Sequence, residues 1–476
     1  MPLRDRRLVV LCQSKVAGIL SMDDNGLTSF AYDDAYDGPD LSVIMPRGVT
    51  TQGSRVTAWL DGLLPDSIDI RRGMADKAGH GYGANSTFGL LGDYGLDLPG
   101  AVQVVTEDAI GAALGRNARY VPISKHAIGQ RLRDMERQSH DGTHPWLSGR
   151  ERWSLAGNQG KIALMCRNGR YYSCEGSAAS NVIVKPGIAG MRDEALNECL
   201  CMRLASEVGI PTAKVRMDTF GDVNAIVIDR YDRMQIDGNI MRLHQEDVCQ
   251  SFGMPPSKKY AEDGGPSAQT IMRSRMTDEG SRTHFYDALI YSYLIGATDG
   301  HAKNYSLMHD VGSGFFLAPL YDIASIIPYA EGEHEYKVAM GIGGDARIGR
   351  LRGSTIRRFA RHVGMDAATA IDRAVALAND VRESVERVAS EMGPYDGIDE
   401  LACSIVPNIR LLCDAFERNA DATGRKMFVP HMIGMTRRHS GNDKKSCHDG
   451  LVWIDSYMRN GNPVKGHWRR VTRHAR

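Results

Sequence analysis

Apolar and polar positions alternate early in the chain. Leu8-Val9-Val10-Leu11-Cys12, a short polar turn and Val16-Ala17-Gly18-Ile19-Leu20 predict a hairpin over 8–21. Residues 27–45 alternate in the same way and read as further strand. The pattern turns helical over 51–76, around Ala58-Trp59-Leu60-Asp61-Gly62-Leu63-Leu64-Pro65-Asp66. A short helix and the strand Ala101-Val102-Gln103-Val104-Val105 follow within 84–106. These elements predict a small N-terminal α/β domain over 1–133. The stretch 134–150, rich in Arg, His, Asp and Gly, reads as a linker.

Residues 134–235 form a second, strand-rich region. Lys161–Cys166 reads as a strand, and Arg167-Asn168-Gly169-Arg170 as a tight turn, because Asn-Gly suits the positive φ angles of a two-residue hairpin loop. Tyr171-Tyr172-Ser173 returns. Asn181–Lys185 is a third strand, stopped by Pro186-Gly187. Leu196, Leu200, Leu204 and Val208 recur at steps of four and predict a helix over 193–208, ended by Gly209 and Pro211. Val223–Tyr231 reads as a buried strand. Residues 236–424 read as mostly helical, with helices at 283–296, 366–392 and 397–419. Ala367, Ala370, Ile371, Ala374, Val375 and Ala378 line one face of the second of these. In the final region, 425–476, Leu451–Tyr457 and Val464–Trp468 flank Asn460-Gly461-Asn462 as a hairpin.

Charge changes this picture in one place. The 58 basic and 58 acidic residues of the 476-residue chain cancel, which excludes a generic polyanion binder. Residues 425–476, however, carry 12 Lys/Arg against 3 Asp/Glu. Nine scattered cysteines, an odd number with no paired C-x-x-C motifs, argue for free thiols in a reducing compartment and against a zinc site. No apolar run is long enough for a membrane span, and the basic Met1–Arg7 stretch is followed by too short an apolar segment for a signal peptide. A cytoplasmic protein without membrane contact is expected.

Four motifs carry candidate chemistry. Ser154-Leu155-Ala156-Gly157-Asn158-Gln159-Gly160-Lys161 is a glycine-containing loop before a strand, able to bring backbone N–H groups near phosphate oxygens; alone it reads first as a plain glycine-rich turn. Lys185 ends an apolar strand, where its ammonium can meet anions or snorkel to water. Glu198 on the next helix could pair with it, as in kinases. Gly296-Ala297-Thr298-Asp299-Gly300-His301-Ala302-Lys303-Asn304 contains D-x-x-x-x-N, the second half of a kinase catalytic loop. There a carboxylate orients the attacking hydroxyl and a carboxamide holds Mg²⁺. Leu317-Ala318-Pro319-Leu320-Tyr321-Asp322-Ile323 follows one hairpin later and ends in a single carboxylate, where a kinase places its second metal ligand. Their order along the chain reads as a two-lobed, ATP-dependent phosphotransferase. His301 lies between the candidate base and the metal ligand, which favours a catalytic or nucleotide role over a structural one.

These segments, with Asp229-Arg230-Tyr231-Asp232-Arg233 and Arg242-Leu243-His244-Gln245-Glu246-Asp247-Val248-Cys249-Gln250, resemble the HipA family, the serine/threonine-kinase toxins of bacterial type II toxin–antitoxin systems. The resemblance runs over about 8–420 and includes Leu63-Leu64-Pro65-Asp66. It implies an α+β chain: a small N-terminal α/β domain, then a two-lobed kinase-like fold with a mostly helical C-terminal lobe. It implies that Asp299 is the catalytic base, with His301 beside the nucleotide, and that Asn304 and Asp322 hold Mg²⁺. Lys185 would contact the ATP phosphates, and Ala156, Gly157, Asn158, Gln159, Gly160 and Lys161 would form the phosphate loop. Asp229, Arg230 and Tyr231 would form the adenine hinge, and Tyr321 would complete the nucleotide site. Ser154 would be the autophosphorylated serine that ejects the loop. The implied protein substrate is an aminoacyl-tRNA synthetase, and the implied partner a DNA-binding antitoxin through which DNA contact is indirect.

Two features depart from the family pattern. Gly160 replaces an acidic residue, and the basic tail after about residue 424 lies outside the resemblance. Trp453, Tyr457, Trp468, Arg469 and Arg470 in that tail could reach nucleic acid by stacking and phosphate contact, or belong to a solvated hairpin. Two other functions fit the lobes: a catalytically weak relative acting with its antitoxin as a DNA-bound corepressor, and a small-molecule kinase. Retention of Lys185, Asp299, Asn304 and Asp322 favours the active protein kinase.

Overall fold

A computed structural model describes residues 7–116, 118–141, 151–312, 314–330, 334–421 and 429, and the strands Leu451–Ile454, Tyr457–Arg459, Asn462–Val464 and His467–Arg470. The chain is α+β and forms two compact units. The first comprises residues 1–195, 211–286 and 300–322, the second residues 196–210, 287–299 and 323–476.

The first unit is built on two antiparallel sheets. The N-terminal hairpin appears as Arg7–Cys12 and Lys15–Met22, and it anchors a five-stranded sheet in the order Thr51–Gln52, Thr28–Tyr32, Lys15–Met22, Arg7–Cys12, Val102–Val105. The alternation expected over 27–45 yields a strand only at Thr28–Tyr32. Beyond it, Tyr36, Leu41 and Met45 are buried from turns, so their spacing reflects single side chains plugging the core. The helical pattern of 51–76 divides into Ser54–Asp61 and Ile68–Ala78, because Gly62 and Pro65 interrupt it.

The second sheet has six strands in the order Val215–Phe220, Val223–Asp229, Val182–Lys185, Ile162–Arg167, Arg170–Glu175, Arg119–Ile123. Asn168 and Gly169 both take positive φ in the predicted tight turn. The polar stretch read as a linker from 134 begins inside the helix Lys125–Asp141; residues 142–150 lie outside the described residues. The helix escaped notice because its sequence is almost wholly polar; among its described residues the buried apolar side chains are Ile128, Leu132 and Met135. One apolar cluster runs through both sheets, from Leu8, Trp59 and Leu64 to Ile162, Val184, Phe220 and Val227. A smaller sheet, Gln245–Asp247, Ser306–Asp310 and Gly314–Leu317, adds strands to a region expected to be mostly helical.

In the second unit the expected long helices form as Ala367–Ser390 and Ile398–Ala420. Asp366 caps the first by accepting from the Thr369 N–H, and Ala370, Ile371, Ala374 and Ala378 are buried as predicted. A third helix, Gly353–Val363, was not foreseen. It starts so close to the end of Ile398–Ala420 that a Cβ on Gly353 would lie 2.0 Å from the Ala420 carbonyl oxygen. Among the described residues eight cysteines are free thiols, and no helix is long and apolar enough to cross a membrane.

In the tail, Leu451–Ile454 pairs with His467–Arg470 and Tyr457–Arg459 with Asn462–Val464, a ladder centred where the hairpin was expected. Asn460 and Gly461, and the side chains of Trp453, Tyr457, Trp468, Arg469 and Arg470, lie outside the described residues.

Candidate active site

Most of the predicted site residues fall in the first unit. The glycine loop leaves Trp153 and enters the strand Ile162–Arg167. Its polar bonds go to two N-terminal segments. Ser154 is buried, with its Oγ donating to the Leu63 carbonyl at 3.1 Å and its N–H to the Asp97 carbonyl at 3.1 Å. Gly157 pairs with Pro65, and its carbonyl accepts from the Asp66 N–H at 3.0 Å. Lys161 Nζ donates back to the Ala156 carbonyl at 2.6 Å and closes the loop on itself. Gly157 is required there, since its φ is 104° and a Cβ would stand 2.5 Å from Lys161 Nζ. A Cβ on Gly160 would meet the Met135 methyl at 2.9 Å, so the acidic residue of the family pattern would need Met135 to move. Gln159 Nε2 reaches Glu194 at 3.4 Å.

Lys185 ends its strand buried, and its ammonium donates to Asp322 at 2.5 Å. Asp322 is therefore the partner of Lys185 within this unit; Glu198 is buried in the second unit. The Asp322 backbone has φ 60°, the left-handed region that non-glycine residues seldom enter. Burial pushes its carboxyl up, but Lys185, Lys161 and His301 outweigh burial and hold it down at about 2. Asn304 closes a short turn, Ala302–Asn304, with its N–H on the His301 carbonyl at 2.9 Å and its amide 3.5 Å from the Asp322 carbonyl. His301 is buried, edge-on to Tyr260 at 5.0 Å. Lys185, Asp322 and Asn304 thus lie together, with Lys161 near enough for its charge to act on Asp322. Asp299 belongs to the second unit and is exposed.

The hinge residues divide. Tyr231 stacks on Tyr321 with ring centroids 5.5 Å apart and 27° between planes. Their hydroxyls are fixed, Tyr231 on Gln245 and Tyr321 on the Lys303 carbonyl, each at 2.7 Å. Arg230 does not present its side chain to a ligand. Its guanidinium is buried on Asp232, Asp97, Ser180 and the Leu98 carbonyl, so a hinge role would fall to its backbone. Asp229 is likewise engaged, accepting from Arg216 at 2.8 Å.

Sequence reasoning missed a buried ionic group next to this site. Lys303 Nζ lies 3.0 Å from Asp66 and 3.6 Å from Asp247. One ammonium serves two carboxylates, and they titrate apart. Burial raises Asp66, but Lys303, Lys259 and Lys161 carry it below the usual carboxylate range. For Asp247 burial wins over Lys303 and the Gln250 N–H, and its carboxyl rises to about 6. Both acids stood in quoted motifs, but nothing in linear spacing shows that they share a lysine. The folded state binds a proton at Asp247 more tightly than the unfolded chain does, so stability falls as pH rises from about 4 through about 6. Asp247→Asn keeps a good helix cap on Gln250 and removes that titration. We expect the variant to flatten the decline in melting temperature between about pH 4 and 6.5; an unchanged slope would refute the assignment.

The sequence model of the HipA N-terminal domain matches residues 8–105, and that of the HipA-like C-terminal domain matches 153–392. Y4mE of Sinorhizobium fredii, which carries a kinase name, is 30% identical over 400 residues, covering 81% of this chain and 92% of that protein. This chain belongs to the HipA family. Within it, the serine/threonine-protein kinase toxin HipA of Shewanella oneidensis is 26% identical over 398 residues, covering 80% of this chain and 88% of that one. The fold agrees with the solved complex of Shewanella oneidensis HipA, HipB and operator DNA. The TM-score is 0.74 at 24% identity, over 86% of this chain and 97% of that one. The HipA-family chain described here is accordingly a kinase of the serine/threonine class, with a basic tail at 425–476 that neither sequence model covers.

Proposed function

We propose that the protein transfers the γ-phosphoryl group of Mg²⁺-ATP to a serine or threonine of a protein substrate, in the reducing cytoplasm. The observation that carries this reading is the Lys185–Asp322 pair with Asn304 beside it. Lys185 is placed to receive the ATP phosphates, and Ala156 to Lys161 to offer backbone N–H groups to them. An ionised carboxylate and a carboxamide oxygen are the hard donors Mg²⁺ takes, and Mg²⁺ commonly needs only one or two carboxylates plus phosphates. The residues therefore fit the ion. Among the described residues no cluster of three or more His, Cys, Asp or Glu offers a site of the zinc type. When bound, Mg²⁺ neutralises charge on the phosphate oxygens. Asp299 orients the attacking hydroxyl and takes its proton, His301 and Tyr321 flank the nucleotide, and the backbone at Asp229, Arg230 and Tyr231 receives adenine.

Ser154 serves as the off-switch. Its hydroxyl is a donor to the Leu63 carbonyl, and it must leave that bond to be phosphorylated. A phosphoserine brings a charge of about −1.5 to −2 and no proton for that carbonyl, so the modified loop cannot return to its place or share it with ATP. Ser154→Ala is expected to keep phosphoryl transfer and lose self-labelling, read by phosphopeptide mapping; label only at other positions would refute the switch.

From the family resemblance we propose that the substrate is a translation protein such as an aminoacyl-tRNA synthetase, and that a DNA-binding antitoxin carries the protein to DNA. The Shewanella complex holds HipA with HipB on operator DNA, which supports that partner. The test is radiolabelled ATP and Mg²⁺ with purified protein, with and without host extract. Label on the protein or on one extract protein supports the kinase. A labelled metabolite with no labelled protein would favour the small-molecule kinase. No label and no nucleotide binding, in protein shown by mass to be unphosphorylated, would favour the corepressor.

A further inference from the structure

We infer that Asp66 is a positioning residue for phosphoryl transfer, tying the phosphate loop to the turn that carries Asn304. This rests on the kinase reading of the site. Asp66 uses its two ends differently. Its backbone N–H donates to the Gly157 carbonyl at 3.0 Å, next to the Pro65–Gly157 pairing. Its carboxylate holds Lys303 at 3.0 Å, with Lys259 at 3.9 Å. Lys303 immediately precedes Asn304, and its carbonyl accepts from the Tyr321 hydroxyl at 2.7 Å. The Lys303 and Asp66 side chains are only 4% and 13% exposed, so water cannot substitute for either partner.

The geometry has a further consequence. Leu63 and Asp66 grip the loop at Ser154 and Gly157, and the same segment grips Lys303. Release of the loop and slackening of the Asn304 turn are therefore linked through one residue. Glycine spacing and the D-x-x-x-x-N motif describe the two loops separately; the tie between them lies in the N-terminal domain. A misplacement of about 1 Å at such a site lowers a rate by as much as about 10²-fold.

The test compares the full-length protein with Asp66→Asn and Asp66→Glu. Asparagine keeps the N–H to Gly157 and the side-chain size but removes the charge. Asp69→Asn, on the exposed pair with Arg72, is the control. We expect Asp66→Asn to lower kcat about 10–100-fold while KM for ATP changes less than about threefold, and Asp66→Glu to recover most of that rate. Without nucleotide, amides 302–305 and 155–160 should exchange faster in Asp66→Asn, with those of the strand Val182–Lys185 unchanged. A folded Asp66→Asn with wild-type kcat and wild-type exchange would overturn the inference. So would a drop that Asp66→Glu does not recover at all. If Asp66→Asn does not fold, Lys303→Gln, which removes the other end of the pair, decides in its place: faster exchange in both loops with a lowered kcat supports the tie, and wild-type exchange overturns it. If the wild-type protein transfers no phosphate, the kinase reading fails, whereas the exchange measurement still reports on the tie.

Discussion

Asp299→Gln is expected to abolish phosphoryl transfer while leaving ATP binding intact. General acid–base catalysis contributes about 10²–10⁴-fold, and the loss should fall in that range. Asp299 is exposed, and exposed substitutions usually change stability by less than about 0.5 kcal/mol, so the melting temperature should shift little. Glutamine keeps a hydrogen-bonding side chain but cannot take a proton. Single-turnover rates with bound ATP isolate the chemical step, and a fluorescent nucleotide titration gives affinity. Equal rates in variant and wild type would remove Asp299 from the mechanism. A parallel loss of ATP affinity would instead make it a binding residue.

Asp322→Asn is expected to remove Mg²⁺-dependent nucleotide binding and lower transfer by at least about 10²-fold. Asparagine tolerates the left-handed backbone at this position, so the change is confined to charge. It takes the anion away from the buried Lys185 ammonium. Calorimetric ATP titrations with Mg²⁺ and with EDTA should converge in the variant and differ in the wild type. Asp322→Ala adds a backbone penalty of roughly 1–2 kcal/mol for a residue that avoids this conformation, so it should melt below Asp322→Asn. If both variants melt alike and both retain the Mg²⁺ effect, Asp322 is not the metal ligand.

The parts of the fold legible in the sequence were those whose apolar pattern is strong and local. The N-terminal hairpin, the Asn168-Gly169 turn and the helix Ala367–Ser390 each show their period within a few residues. Elements with one thin apolar edge were lost. Val215–Phe220 reads Val-Arg-Met-Asp-Thr-Phe, and Arg119–Ile123 is mostly exposed; both gain their place from pairing with distant strands. The site follows the same rule. Lys185, Asn304 and Asp322 could be singled out because kinase chemistry fixes the order of such residues along a chain, and the fold brings them together. Lys303, Asp66 and Asp247 were not, because their meaning arises only when three remote segments close on one ammonium. For Arg230, linear order could not show that the side chain is tied up on Asp97 and Asp232, which leaves only its backbone open to a ligand.

The continuous apolar cluster from Leu8 to Val227 sets a limit on how such a chain can be cut or exchanged. The sequence models place a border between 105 and 153, which invites treating the N-terminal portion as a cassette that evolution or an engineer could swap. His244 on Leu41, Glu246 on Ser42 and Val43, and Gln250 on Trp59 run straight across that border. A recombination event there would have to carry matching partners on both sides. Inheritance of the two portions as one piece is the physical price of building a catalytic scaffold from both.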